Sequence, residues 1–316
     1  MVRTARHWPN TMLTLSTHDT KRSGDVRARL NLLSELPEAW ERTIHRWAEH
    51  NHRHKHDGYP DRNIEHLLYQ TLVGAWPIDV GRTQAFMAKA AKEAKVHTTW
   101  TDPDPDYERA LDEFVTATLG DEAFVADLER FLSDHDLVEL GRVSSLAQTT
   151  LLLTCPGIPD LYQGTEVWDH SLVDPDNRRP VDYDRRRQLL RTLSGGDAEG
   201  ALARRADGGS KIWLIHRLLT LRRRQPALFG QESGYQVLPV SGSKAKHALA
   251  FSRTEGLAVV VPRLVIALKQ EWADTAVALP DGRWVNVLTD EDVAGGSAYV
   301  HHLCRRFPVA VLARER

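Results

Sequence analysis

The chain has 316 residues, 41% of them hydrophobic and 27% charged, with a formal net charge of -2. That is enough apolar material for one large core, or for one large and one small core, and the near-neutral balance argues against a nucleic-acid or other polyanionic partner. Two cysteines, Cys155 and Cys304, leave room for neither a disulfide framework nor a metal-binding cysteine cluster, which suits a reducing compartment and makes the cytoplasm the default location. Residues 1–9 lack the apolar stretch of a signal peptide, and no run is long enough to span a membrane.

In chain order, the first run to notice is Met12-Leu13-Thr14-Leu15. It is too short for a helix and stops at a burst of small polar residues, as a strand does when it delivers polar groups to a rim. His18 and Asp19 stand where the following loop begins, with Lys21 and Arg22 just after. A His-Asp pair at the C-terminal end of a barrel strand is a chemical candidate, whereas an aspartate at a strand-to-loop junction is also commonly a cap or turn residue. Ser23 or Gly24 opens a helix with Val26, Leu30 and Leu33 on one side, and Pro37 stops it. Residues 38–50 form a second amphipathic helix, with Trp40, Ile44 and Trp47 at helical spacing. His50, His52, His54 and His56 then alternate. Held in a rigid turn, such residues ligate zinc or nickel, but Arg53 and Lys55 between them repel a cation, and the stretch reads as a solvated loop without a metal.

Residues 59–94 read as helical with a break at Trp76-Pro77. Trp76 and Trp100 offer ring faces that suit the apolar face of a pyranose, although tryptophans in helical domains commonly serve as packing residues. Asp102-Pro103-Asp104-Pro105-Asp106 is a turn that caps a helix with Tyr107, Leu111, Phe114, Val115 and Leu119 on one face, ended by Gly120. Phe124, Leu128, Phe131 and Leu132 mark another. Residues 37–136 are therefore expected to be an all-helical module that walls or covers a site.

An apolar helix follows over residues 140–153, broken by Pro156-Gly157, and then a short run, Ile158-Pro159-Asp160-Leu161-Tyr162-Gln163-Gly164, leading to Glu166. Asp174, Asp176, Asn177, Arg178 and Arg179 lie in a loop whose prolines exclude regular structure, and aspartates and arginines this dense tend to satisfy each other. Residues 194–209 read as a surface excursion, and residues 211–225 as the last clear helix, with arginines gathered where the helix dipole favours cations. Beyond Gly230 the period changes to short β-type runs over residues 235–240, 248–253, 257–262, 275–279, 283–288 and 308–312, with Pro280-Asp281-Gly282 as a hairpin turn.

Thr17-His18-Asp19-Thr20-Lys21-Arg22-Ser23-Gly24-Asp25-Val26-Arg27-Ala28-Arg29-Leu30 resembles the last shared active-site segment of the α-amylase superfamily (glycoside hydrolase family 13), in the form used by maltooligosyl trehalose synthases. Gly24 stands where that pattern usually carries an acidic residue. Residues 68–77 and 89–95 are similar to segments of the helical insertion of the same synthases, and Asp174-Pro175-Asp176-Asn177-Arg178-Arg179-Pro180 to an element found in many α-glucan enzymes. The resemblance covers essentially the whole chain. It implies that Asp19 is the third catalytic carboxylate, which steadies the cation-like transition state. His18 would bind the same glucose, and Lys21 and Arg22 a neighbouring subsite. Tyr162, Gln163 and Glu166 would line the rim, with Glu166 in a supporting role, and Asp176, Asn177 and Arg178 would order the rim or touch distal glucose units.

The implied fold is α/β plus all-β: the C-terminal part of a (β/α)8 barrel, with only its last two strands, a large helical insertion and a small antiparallel β domain. The expected divisions are 1–36 for the seventh strand and its helix, 37–136 for the insertion, 137–230 for the eighth strand and last helix, and 231–316 for the β domain. About six barrel strands would then lie outside the sequence. The implied activity is an intramolecular transglucosylation, an isomerase reaction of trehalose biosynthesis that turns the reducing-end α-1,4 bond of a maltooligosaccharide into an α,α-1,1 bond, with no cofactor. Retention of configuration there requires a nucleophile and an acid/base carboxylate about 5 Å apart, and neither motif is present. The chain alone is accordingly expected to be inactive, unless a separate chain supplies the missing barrel half. An α-glucan hydrolase and a non-catalytic glucan-binding or scaffold protein are the alternatives.

Overall fold

The computed structural model describes residues 1–269 and 271–314. Helix α1 (Val2–His7) precedes strand β1 (Met12–Thr14), and seven helices follow: α2 (Gly24–Leu30), α3 (Pro37–Asn51), α4 (Arg62–Ala75), α5 (Val80–Ala94), α6 (Pro105–Gly120), α7 (Glu122–Asp134) and α8 (Leu137–Thr154). Strand β2 (Ile158–Asp160) leads into α9 (Tyr183–Leu193), α10 (Ala198–Ala203) and α11 (Gly209–Arg224). Next come β3 (Gln236–Val237), β4 (Val240–Ser241), β5 (Ala248–Arg253), β6 (Leu257–Pro262), the short α12 (Val265–Leu268), β7 (Ala276–Asn286), β8 (Asp292–Tyr299), the short α13 (Val300–Leu303) and β9 (Ala310–Arg314). The chain divides into two compact units, one of Met1–Thr17, Arg142–Asp169 and Pro180–Arg316, the other of His18–Gly141 and His170–Arg179. No helix among the described residues is long and apolar enough to cross a membrane.

In the first unit, β1 and β2 pair in parallel with Met12 opposite Ile158 and Thr14 opposite Asp160. The C-terminal strands make a seven-stranded antiparallel sheet in the order β3-β5-β6-β9-β7-β4, with β8 paired to β7. Strand β6 is buried along its full length, so its near-continuous Leu257-Ala258-Val259-Val260-Val261 run serves both faces. Leu257, Val259 and Val261 join Trp213, Leu214 and Leu218 of α11 in one core, while Ala258 and Val260 join Trp272, Val277 and Trp284 in another, as the two-residue strand period requires.

Two expectations fail here. Pro280-Asp281-Gly282 is no hairpin turn but a bulge inside the continuous β7, where the pairing to β8 shifts register between Leu279 and Arg283. Gly295 of β8 makes the bulge possible, because a Cβ there would stand 2.4 Å from the Pro280 carbonyl oxygen. Strand β8, with Gly295-Gly296 and few β-branched residues, gave no strand signal in the sequence. Residues 194–209 likewise hold α10 rather than a bare excursion. Its N-cap Asp197 accepts from the Gly200 N–H at 2.8 Å, and Ala198 and Ala201 enter the core.

The second unit is helical around Trp47, which is 1% exposed. The indole meets Trp40, Tyr69, Phe124 and Phe131 edge-on, with centroids 5.4 to 5.9 Å away. Four of the helices start on a carboxylate: Asp61, Asp79, Asp104 and Asp121 accept backbone N–H bonds at the first turns of α4, α5, α6 and α7.

Candidate active site

Ser23 caps α2, its hydroxyl accepting from the Val26 N–H, and the chain makes a turn at residues 18–19 before it. His18 and Asp19 lie on that turn. Their side chains meet at 3.2 Å between Nε2 and Oδ2 and are 53% and 80% exposed, an arrangement open to a ligand. The Lys21 ammonium donates to Glu93 at 2.6 Å. Arg22 turns inward onto α4, donating to Gln70, to the Leu67 carbonyl and to the Thr71 hydroxyl, and burial lowers its pKa.

Residues 170–179 belong to the same unit and are tied to this corner at several points. The Ser23 N–H donates to the Ser171 carbonyl at 2.9 Å, Arg22 and Leu172 form an antiparallel bridge, and the Asn177 amide donates to the His18 carbonyl at 2.8 Å. Asp176 accepts both forks of Arg82, at 2.8 and 2.9 Å, and the Leu172 N–H at 2.8 Å. Burial acts to raise the Asp176 pKa, but the bonds from Arg82 and Leu172 prevail and hold it below the ordinary value. Asp174 accepts from Lys89 at 2.7 Å, which holds its carboxyl low in turn. Arg178 is half exposed and reaches Asp174 at 3.4 Å. Arg82, Lys89 and Glu93 were not marked by the sequence, because a charged stripe on a helix looks like a solvated face.

Tyr162, Gln163 and Glu166 lie in the first unit, at the turn that follows β2. The Tyr162 carbonyl accepts from the Thr165 N–H and hydroxyl, Gln163 is exposed, and Gly164 takes φ +90. The Glu166 carboxylate accepts from Arg186 Nε at 2.9 Å. It borders a groove of about 440 Å³ between α9 and α11, floored by Leu190, Ile212, Ile215 and Leu219.

The histidine stretch is only in part the solvated loop the sequence suggested: His52, Arg53 and His56 are exposed, but His50 and His54 are held. It closes α3 and forms a 3-10 turn over His52–His54. His50 Nε2 and His54 Nε2 lie 2.9 and 3.3 Å from Asp121 Oδ2, and Arg53 donates to the same oxygen. Burial acts to raise the Asp121 pKa, yet the bonds from Arg53, His50 and His54 carry it well below the usual carboxylate range. A carboxyl depressed on folding stabilises above its unfolded pKa, so this contribution is full above about pH 4 and fades as the pH falls below it. Asp121→Ala is expected to lose about 1–2 kcal/mol at neutral pH, since the carboxylate also caps α7, and to lose less in acid. Urea denaturation at pH 7 and pH 3 checks this, and an equal loss at both pH values would refute the linkage. Among the described residues, no group of three or more His, Cys, Asp or Glu is disposed to hold a metal ion.

Trp76 donates from its indole to Glu129 at 3.3 Å, whereas Trp100 is 62% exposed with the Lys92 ammonium 5.0 Å from its ring. Burial pushes the Cys155 thiol up to about 11, which keeps it protonated and unreactive.

No family model matches the chain. A protein of Mycobacterium tuberculosis (strain H37Rv) assigned as a maltooligosyl trehalose synthase is 36% identical over 98% of the chain. The maltooligosyltrehalose synthase of Arthrobacter ramosus superposes with a TM-score of 0.89 at 38% identity over 99% of the chain. The chain is a relative of the maltooligosyl trehalose synthases. It matches their C-terminal part, spanning 38% of the mycobacterial synthase and 40% of the Arthrobacter one. A synthase-type structure from Sulfolobus tokodaii, described as hypothetical, agrees at a TM-score of 0.75 and 30% identity. Mixed helical and antiparallel-sheet architecture is thus common to this chain and the corresponding part of the synthases.

Proposed function

We propose that the chain contributes to converting the reducing-end α-1,4 bond of a maltooligosaccharide into an α,α-1,1 bond, with Asp19 steadying the positive charge on the reacting glucose. The observation that supports this best is identity of 36–38% to synthases across nearly the whole chain, with an exposed His18–Asp19 pair in the segment that resembles their active site. In this reading β1 and β2 are the seventh and eighth strands of a (β/α)8 barrel. Residues 1–36 and 137–230 are its barrel segments, 37–136 the helical insertion and 231–316 the β domain. His18 and Lys21 contact the glucose at or beside the reacting bond, Tyr162, Gln163 and Glu166 face the glucan, and Arg178 meets distal units. Arg22, Asp176 and Asn177 are better suited to shaping the corner than to touching sugar, since Arg22 donates to Gln70, Leu67 and Thr71, Asp176 accepts from Arg82 and Leu172, and the Asn177 amide donates to the His18 carbonyl. The enzyme class is an isomerase of the cytoplasm, working on a soluble α-glucan without a cofactor.

Retention demands two carboxylates besides Asp19, so the chain alone should form no trehalosyl product from maltopentaose. Mixed with a polypeptide carrying the remaining part of the Arthrobacter ramosus synthase, it should form that product, and Asp19→Asn should reduce the rate by about 10²–10³-fold, the usual loss when one preorganised charge stabiliser is removed. Chromatography of the products checks both. An unchanged rate in the Asp19→Asn variant would remove this carboxylate from the chemistry, and release of glucose in place of trehalosyl product would favour hydrolysis.

A further inference from the structure

Helix α5 carries Arg82, Lys89 and Glu93 at spacings of seven and four residues, which set them along one face. Each grips a different part of the His18–Asp19 corner's surroundings. Arg82 takes Asp176 with both forks and the His170 carbonyl at 2.9 Å. Lys89 takes both the carboxylate and the carbonyl of Asp174, at 2.7 and 3.0 Å. Glu93 takes Lys21 at 2.6 Å. The segment so held is the one from which Asn177 reaches the His18 carbonyl, and that carbonyl belongs to the peptide unit that bears the Asp19 N–H.

We infer that Arg82 is a positioning residue for the His18–Asp19 pair, acting through Asp176 and Asn177. The inference rests on the glucan reading only for its significance, not for its geometry. A guanidinium suits the task because it binds two carboxylate oxygens and a carbonyl at once in a fixed plane, so it sets the angle of the Asp176 turn as well as its distance. The His18–Asp19 pair is solvent-exposed, and α5 grips the chain beside it at Lys21, Asp174 and Asp176, so its side chains can set where that corner stands. The same geometry gives Asp176 a role inside the protein, because its carboxylate accepts from Arg82 and the Leu172 N–H, with Arg179 Nε at 3.2 Å.

The test is NMR of the isotope-labelled 316-residue chain with Arg82→Met, Arg82→Lys and Asn177→Ala. Arg82→Met should speed exchange of the Leu172 amide by about 10- to 100-fold, the equivalent of one charge-assisted hydrogen bond. It should also shift the His18 carbonyl carbon and the Asp19 amide in the direction that Asn177→Ala shifts them. Arg82→Lys keeps the charge but not the fork and should restore part of both effects; it also decides the matter if Arg82→Met does not fold. Faster Leu172 exchange with unmoved His18 and Asp19 signals in Arg82→Met or Arg82→Lys would overturn the inference, since the clasp would then hold only its own loop. Titration with maltopentaose of the labelled chain mixed with the remaining part of the Arthrobacter ramosus synthase separates the two claims: signals that follow Arg82 yet ignore the sugar would sink the glucan reading and leave the positioning role standing.

Discussion

Trp47→Ala should cost the helical unit about 3–5 kcal/mol, the range for emptying a fully packed tryptophan site. The indole is 1% exposed and forms edge contacts with four aromatic rings from α3, α4 and α7, each adding to plain area burial. Collapse into the gap is hindered because those rings also pack on each other, as Tyr69 does on Phe124 at 5.9 Å. The loss has a polar part as well. Trp47 Nε1 donates to Asp127 Oδ2 at 2.8 Å, an oxygen that also takes Arg46 at 2.7 Å. Burial works to raise the Asp127 pKa, and the bonds from Arg46 and Trp47 hold it low. Trp47→Phe would keep most of the ring and forfeit that bond, so about 1 kcal/mol should separate it from the parent. Urea denaturation followed by far-UV circular dichroism would measure the series. Because Trp40 is only partly buried, a loss at Trp47→Ala no larger than at Trp40→Ala would show that Trp47 is not the centre of this core.

The elements that were legible in the sequence share a local cause. The Asp102–Asp106 turn announced its helix because a short carboxylate at an N-cap, here Asp104, satisfies amides only a few residues away. Strand β6 was legible because a run buried on both faces must be apolar at every position. What escaped depended on partners distant in sequence. Nothing near Pro280 says that a strand continues through it; the reason lies in Gly295, across the sheet. Nothing near Arg82 says that its charge faces Asp176 rather than water. His50, Arg53 and His54 looked solvated for the same reason, since Asp121, which gathers them, arrives several helices later. The candidate site was divided in the same way: the His18–Asp19 pair is adjacent in sequence and could be found by motif, whereas the groups that hold it come from α5 and from residues 170–179.

Gly157→Ala should cost about 2–5 kcal/mol and act on the β1–β2 pairing. Gly157 takes φ +136, a region where an L side chain meets strain of about 1–2 kcal/mol. The added Cβ would also stand 2.7 Å from both the Thr11 carbonyl oxygen and Leu13 Cγ, an overpacking that typically costs about 1–3 kcal/mol. Relief is unequal. Leu13 can rotate, but the Thr11 carbonyl accepts from the Ile158 N–H at 2.9 Å, and moving it breaks the bond that starts the Met12–Ile158 register. With three residues to a strand, this two-stranded sheet has few other hydrogen bonds to compensate. Gly234→Ala is the control: its φ is +57 and ψ -173 with nothing within 4 Å of the new Cβ, so backbone strain alone should appear, at about 1–3 kcal/mol. Leu13→Ala combined with Gly157→Ala divides the clash. If the double variant falls below Leu13→Ala by no more than the backbone strain of about 1–2 kcal/mol, the side chain was the whole steric obstacle. If a loss clearly larger than that strain persists, the carbonyl wall holds β2 against β1, and the glycine is required by a backbone rather than by a side chain.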